Sequence, residues 1–143
     1  MTKFKYKFET IKEIKERFEK IVMKELSVIN LEIDRIKKEI ENLKRELWET
    51  KSKKLKKSSI KMNELQFYSK HENFIERQIN ILKKDLAKKN IEKENKVKEL
   101  IKKSKETKTF EKLEEKHRAE FFKSQDKLEQ IELDEIAVKE FNR

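Results

Sequence analysis

KSKKLKKSSIKM, residues 51–62, holds six lysines, the adjacent pair Ser58 and Ser59, and no acid. It interrupts an otherwise continuous helical pattern, so it reads as the turn of a hairpin. Everything before it is then one long helix, and everything after it is a second helix running back along the first.

The composition points the same way. The 143 residues contain no Gly, Pro or Cys, where average usage supplies roughly ten glycines and seven prolines. Strands, tight turns and phosphate-cradling loops lean on Gly or Pro, so their joint absence predicts long helices with almost no connections. Charged residues make up 48% and hydrophobic ones 34%, which is too polar for a globular core but enough for a narrow apolar seam. The predicted class is therefore all-α, a two-helix antiparallel coiled-coil hairpin with a C-terminal helix overhanging the N-terminal one. Without cysteine there is no disulfide framework and no thiolate chemistry. No apolar run is longer than three residues, as at Ile21, Val22 and Met23, so a soluble chain without a membrane span or signal-peptide core is expected. A net charge of +10 admits nucleic acid, anionic lipid or an acidic protein as partner, although a solvated lysine face alone accounts for much of it.

Working outward from the turn, Ile11, Phe18, Val22, Leu26, Ile29, Ile33, Ile36, Ile40, Leu43 and Leu47 recur at coiled-coil spacing, with Lys15 in one seat and a stutter near Leu26. Leu65, Tyr68, Ile75, Ile79, Leu82, Leu86, Val97 and Leu100 carry a second seam. Antiparallel partners must have residue numbers that add to a constant. Leu43 with Ile75, Ile40 with Ile79, Ile36 with Leu82, Ile33 with Leu86, Val22 with Val97, Phe18 with Leu100 and Phe8 with Phe110 all add to 118 or 119, which folds the chain at Ser59. In the same register Ile29 meets Asn90, Leu26 meets Lys93, Lys15 meets Ser104 and Ile11 meets Thr107. The hairpin is expected to be firm near the turn and softer between about residues 87 and 109, where polar seats weaken packing but can fix register.

The expected organisation is one hairpin over residues 1–143: helix 1 about 9–57, turn about 58–62, helix 2 about 63–141. Thr10 and Glu13 have capping-box spacing at the start of helix 1. Phe4, Tyr6 and Phe8 alternate with lysines before it, fitting an extended segment as well as a helix start. Because Phe8 pairs with Phe110, residues 111–143 overhang helix 1 by roughly 50 Å if helical. This overhang carries Leu113, Phe121, Phe122, Leu128, Ile131, Leu133, Ile136, Val138 and Phe141, with only residues 1–7 left to cover them, and from Gln125 onward six acids against three bases. A rod is expected, with a basic turn at one end and an acidic, apolar helix at the other. Exposed apolar area of this kind marks an interaction site.

No catalytic constellation is present. Without Gly there is no P-loop or dinucleotide fingerprint, and without Cys or paired His no zinc set. Glu114 and His117 make one Glu-x-x-His, whereas a di-iron bundle needs two with further carboxylates. His71 and Glu72 lack the second His of a zincin helix. The chain is read as non-enzymatic, with no metal, cofactor or small-molecule substrate. Phe67, His71, Phe74 and Gln78 form a second stripe beside Tyr68, Ile75 and Ile79. It is either a docking face for a partner or a scatter of surface aromatics that Trp48 could cover.

KFKYKFETIKEIKERFE at the start, NELQFY and FIERQI after the turn, and LEEKHRAEFFKSQDKLEQIELDEIAVKEF at the finish together resemble the flagellar export protein FliJ family, almost end to end. The most specific element is Glu129, Gln130, Leu133, Asp134, Glu135 and Ala137. The resemblance implies an antiparallel coiled coil similar to the central stalk of rotary ATPases. It implies a component of the type III protein export apparatus for motility, cytoplasmic and peripherally associated with the inner membrane at the flagellar base. Such proteins sit in the pore of the hexameric export ATPase FliI, promote its assembly and activity, contact the export gate protein FlhA, and have been regarded as export chaperones. Carried onto this chain, the ATPase contact falls on Phe4, Phe8, Arg17, Leu133, Asp134, Glu135 and Phe141, and the gate contact on Phe67, His71, Phe74 and Gln78. The lysine-rich 83–108 segment, and serines where a glycine is expected near the turn, depart from the pattern. Alternative readings are a basic nucleic-acid-binding or scaffold coiled coil using residues 51–61, which has no base-reading aromatic platform, and the stalk of a virulence-type secretion system.

Overall fold

A computed structural model of the chain describes residues 2–142. It contains two helices, α1 (Glu9–Lys56) and α2 (Met62–Phe141), and no strand among the described residues. The two pack against each other as a helical hairpin. Residues 57–61 reverse the chain through a bend at Ser58 and Ser59. No described residue has a positive φ, so this five-residue linker turns without the left-handed geometry that would require glycine. The amide of Leu65 donates to the Lys61 carbonyl at 3.0 Å and opens the ladder of α2.

The start of α1 differs from the expected cap. The Lys12 amide donates to the Phe8 carbonyl at 2.9 Å and the Glu9 amide to the Tyr6 carbonyl at 3.2 Å. Phe8 is thus the capping residue, and Thr10 lies inside the first turn, where its hydroxyl cannot form the expected box with Glu13. The aromatic packing of Phe8, described below, fixes the entry of the chain one residue before the helix.

The chain divides into two compact units, Val22–Glu99 and Met1–Ile21 with Leu100–Arg143. In the first, Ile36, Ile40, Ile75 and Ile79 form a buried core with Leu43, Leu47, Leu82 and Leu86 packed against it. Ile75 is the most enclosed side chain, at 1% exposure. Val22, Ile29 and Ile33 extend the buried stripe of α1, but at the levels of Ile29, Leu26 and Val22 α2 carries exposed Asn90, exposed Lys93 and half-buried Val97. Two interhelical ion pairs flank this thin stretch: Lys89 to Glu32 at 2.6 Å, and Lys96 to Glu25. Each pair's residue numbers add to 121 against 118 or 119 in the apolar seam, and both repeat every seven residues. They form a row beside the seam. Such half-exposed pairs add little stability singly but discriminate between registers.

In the second unit the packing is more polar. Thr107 is buried at 4% exposure, and its hydroxyl is satisfied within α2 by donating to the Lys103 carbonyl at 3.1 Å. Lys15 reaches Glu106 at 3.1 Å and Lys12 reaches Glu114 at 2.6 Å. Phe18, expected opposite Leu100 in the seam, is 48% exposed, with the Lys103 ammonium 5.6 Å from its ring centroid. Leu100 itself is half-buried. Number pairing fixes which levels face each other, but not the rotation of the helix, and here the ring turns to the flank.

These ion pairs predict a pH window. Hydrogen bonds from Lys89, Lys15 and Lys12 hold Glu32, Glu106 and Glu114 below the ordinary 4.5. Their stabilisation is present above 4.5 and lost as pH falls through the depressed folded values. Hydrogen bonds to Glu114, Glu32 and Glu25 raise Lys12, Lys89 and Lys96 above 10.5, so theirs is present below 10.5 and lost as pH rises through the raised values. Thermal midpoints followed by circular dichroism should be level between about pH 5 and 10 and decline on both sides. A midpoint that falls steadily across that plateau would exclude these pairs as the titrating groups.

Candidate interaction surfaces

Around the N terminus, residues 2–6 form neither helix nor strand, and α1 begins after a turn at residues 7 and 8. Period-two alternation sends Phe4, Tyr6 and Phe8 inward and leaves Lys3, Lys5 and Lys7 exposed. Tyr6 is 8% exposed and donates its hydroxyl to the Phe110 carbonyl at 2.8 Å. Its ring lies edge-on to Phe8 at 5.9 Å and to His117 at 5.8 Å between centroids. Phe8 packs on Phe110 at 6.3 Å and on His117 at 6.1 Å. Phe4 meets Phe121 at 5.6 Å and lies under the Arg118 guanidinium at 5.4 Å. The segment is a strap over one face of α2. Residues 111–121 are therefore not free, and the uncovered part of the overhang begins at Phe122. His117 sits among aromatic rings, and Glu114 is held by Lys12 and Arg118. No cluster able to hold a metal occurs among the described residues.

From Phe122 onward every described residue of α2 is exposed except half-buried Gln125. Phe122, Leu128, Ile131, Leu133, Ile136 and Val138 are all between 53% and 60% exposed, and Phe141 is 91% exposed. At about 100° per residue, Leu128, Ile131 and Val138 line one side of the helix, while Phe122, Leu133 and Ile136 line the roughly opposite one. Asp134 accepts a hydrogen bond from Gln130 at 3.2 Å, and Glu135 is exposed. The ATPase residues carried over from the resemblance thus form two groups. Phe4 and Phe8 are half-buried in the strap. Leu133, Asp134, Glu135 and Phe141 lie on bare helix, beginning about 18 Å along α2 from Phe121. Arg17 is exposed on α1 and makes no ion pair among the described residues. Tyr6, Phe110, His117 and Arg118 complete the strap's binding site; the sequence offers the first three only as an alternation, a seam partner and a lone Glu-x-x-His, and does not bring them together. Their signal was the Phe-Lys-Tyr-Lys-Phe alternation, which only a tertiary partner resolves.

In the other unit, Phe67 and Phe74 are 69% and 53% exposed, and Trp48, at 69% exposed, does not bury them. Gln78 is half-buried. His71 stacks on Phe67 with ring centroids 6.4 Å apart and planes 5° from parallel. Its Nε2 lies 3.3 Å from the Glu46 carboxylate. Four side chains at one-turn spacing thus make a stripe with His71 pinned across the hairpin. Beside it Glu72 faces Lys54 at 3.8 Å, and one of its oxygens is buried without a hydrogen bond.

No described helix is long and apolar enough to cross a membrane. The family model described as Flagellar FliJ protein matches residues 4–143. No curated protein and no solved structure matches the chain.

Proposed function

We propose, because this chain belongs to the flagellar FliJ protein family, that it is a non-enzymatic stalk of the flagellar type III export apparatus, whose bare C-terminal helix inserts in the ring of the export ATPase. One observation supports this reading above all: exposed apolar residues occupy opposite sides of α2 between Phe122 and Phe141. A helix that is apolar on one side suits a single partner helix. One that is apolar on two opposed sides suits an enclosing wall. Glu132 and Asp134 fall between these stripes, while Asp126, Glu129, Glu135 and Glu140 are interleaved with their apolar members; these carboxylates supply polar contacts that fix orientation.

The stripe of Phe67, His71, Phe74 and Gln78, exposed at its two phenylalanines, is the surface we assign to the export gate protein. The chain then links ATPase and gate at the cytoplasmic face of the flagellar base, promoting ring assembly and activity, and the same exposed surfaces suit a chaperone role for export substrates.

The test is the ATP hydrolysis rate of the cognate export ATPase, alone and with this protein. Changing Leu128, Ile131 and Val138 to Ser, or separately Phe122, Leu133 and Ile136 to Ser, should each weaken stimulation on the order of a hundredfold. Three apolar side chains at roughly 1 kcal/mol apiece give that factor. Phe67→Ala with Phe74→Ala should leave stimulation intact and weaken capture of the gate protein. If only one α2 stripe matters, the enclosing wall is wrong; if the intact chain neither stimulates nor co-elutes with the ATPase, the stalk reading fails.

A further inference from the structure

The residues around the hairpin turn remain without a role in that reading. Between Glu49 and Glu64 the sequence has no carboxylate, and six lysines fall in residues 51–61. Lys51, Lys54 and Lys57 pair with Glu76, Glu72 and Glu64 at 3.8, 3.8 and 3.1 Å. Lys53, Lys56 and Lys61 are exposed and have no ion-pair partner among the described residues.

Helix stability explains part of this charge. Lys53, Lys54 and Lys56 occupy the last turn of α1, where cations complement the negative end of the helix dipole. Lys61 has no such reason to be there. It immediately precedes α2 at Met62, beside the positive end of that helix, where a cation opposes the dipole.

The apolar residues here are equally unexplained by the fold. Leu55 is 84% exposed and Met62 69% exposed, one on each side of the linker. Trp48, 69% exposed, lies seven residues before Leu55 on the same face of α1. Lysines surrounding protruding aliphatic side chains match an anionic lipid surface. The aliphatic groups enter the boundary between headgroups and acyl chains, while the lysine stems lie along it and hold their ammonium groups among the phosphates. A nucleic acid would meet the lysines but leave Leu55 and Met62 in water. There is also no Arg between Arg45 and Arg77 to grip its phosphates with two hydrogen bonds.

We propose that the hairpin turn, through Lys53, Lys56, Lys61, Leu55 and Met62, docks on an anionic phospholipid surface. The proposal rests on the residues of the turn alone and does not depend on insertion in an ATPase ring. Trp48 is the protein's single tryptophan, so its fluorescence is a built-in reporter.

The full chain is mixed with phosphatidylcholine vesicles, with or without phosphatidylglycerol, and followed by co-sedimentation and Trp48 emission. Binding and a blue shift are expected with phosphatidylglycerol only, weakening as salt rises. Lys53→Gln, Lys56→Gln and Lys61→Gln combined should weaken partitioning on the order of a hundredfold, about fivefold for each basic residue. Leu55→Ser with Met62→Ser should weaken it about tenfold or more at unchanged helicity. The α2 variants used in the ATPase assay should bind vesicles as the unaltered chain does, which separates failure of this proposal from failure of the stalk reading. Equal binding to neutral vesicles, or none to either, overturns the proposal. So does tight binding of duplex DNA that depends on the three lysines and is indifferent to Leu55→Ser and Met62→Ser.

Discussion

Ile75→Ala should lower the thermal midpoint on the order of 10 °C. Ile75 is 1% exposed and packs in the buried cluster with Ile36, Ile40 and Ile79. Truncating an enclosed isoleucine removes its transfer free energy and leaves a cavity, together costing about 3 kcal/mol. The seam is only two helices wide, but that helps little, because the leucines around Ile75 are already committed to their own neighbours and cannot refill the space. Phe18→Ala is the informative contrast. Although Phe18 is the larger side chain, it is 48% exposed, and its loss should cost under about 1 kcal/mol. Comparable losses for the two variants would mean that the core is not centred on the four isoleucines.

Tyr6→Ala should release the N-terminal strap while leaving most of the helical signal in place. The side chain contributes the hydroxyl bonded to the Phe110 carbonyl at 2.8 Å and a ring wedged between Phe8 and His117. Removing both costs about 3 kcal/mol. Because the strap docks as a local unit, that cost appears as its opening rather than as global unfolding. Lys3, Lys5 and Lys7 make the opening measurable, since trypsin should cleave there about a hundredfold faster. Tyr6→Phe keeps the ring and loses the hydrogen bond, worth about 1 kcal/mol, so cleavage should rise about fivefold. Unchanged cleavage in Tyr6→Ala would show that Phe4 and Phe8 alone hold the strap.

The hairpin was legible in the sequence because a two-helix seam leaves a one-dimensional signature. Apolar seats recur at three and four residues, and their pairing constant locates the fold point. The polar seats were legible too, since Asn90 and Lys93, which the register sets at the levels of Ile29 and Leu26, are exposed. The rotational setting of each helix was not. Phe18 occupies a seam position by spacing yet turns toward Lys103, while Thr107, a polar seat by identity, is buried with its hydroxyl bonded inside its own helix. Spacing records axial level, whereas burial also depends on which flank the partner helix occupies. The strap was only half legible. Three alternating aromatics are too few to separate an extended run from a helix start, and what decides between them lies more than a hundred residues away, at Phe110, His117 and Phe121. Subtraction gave an overhang over residues 111–143, and it took the strap's contacts at Phe110, His117 and Phe121 to move the start of the bare helix to Phe122.

The five-residue linker at 57–61 has a mechanical meaning for α1 and α2. A heptad slip between the helices would let one of the Glu25 and Glu32 side chains find the other's lysine, so the flanking ion pairs alone would tolerate the error. The linker does not. Moving the pairing constant by seven shifts the point of reversal by half a heptad, and a bridge this short can follow only by melting about a turn of helix on one side. The turn thus acts as a ruler, fixing the phase of every layer that follows and leaving the thin middle of the seam free to be polar.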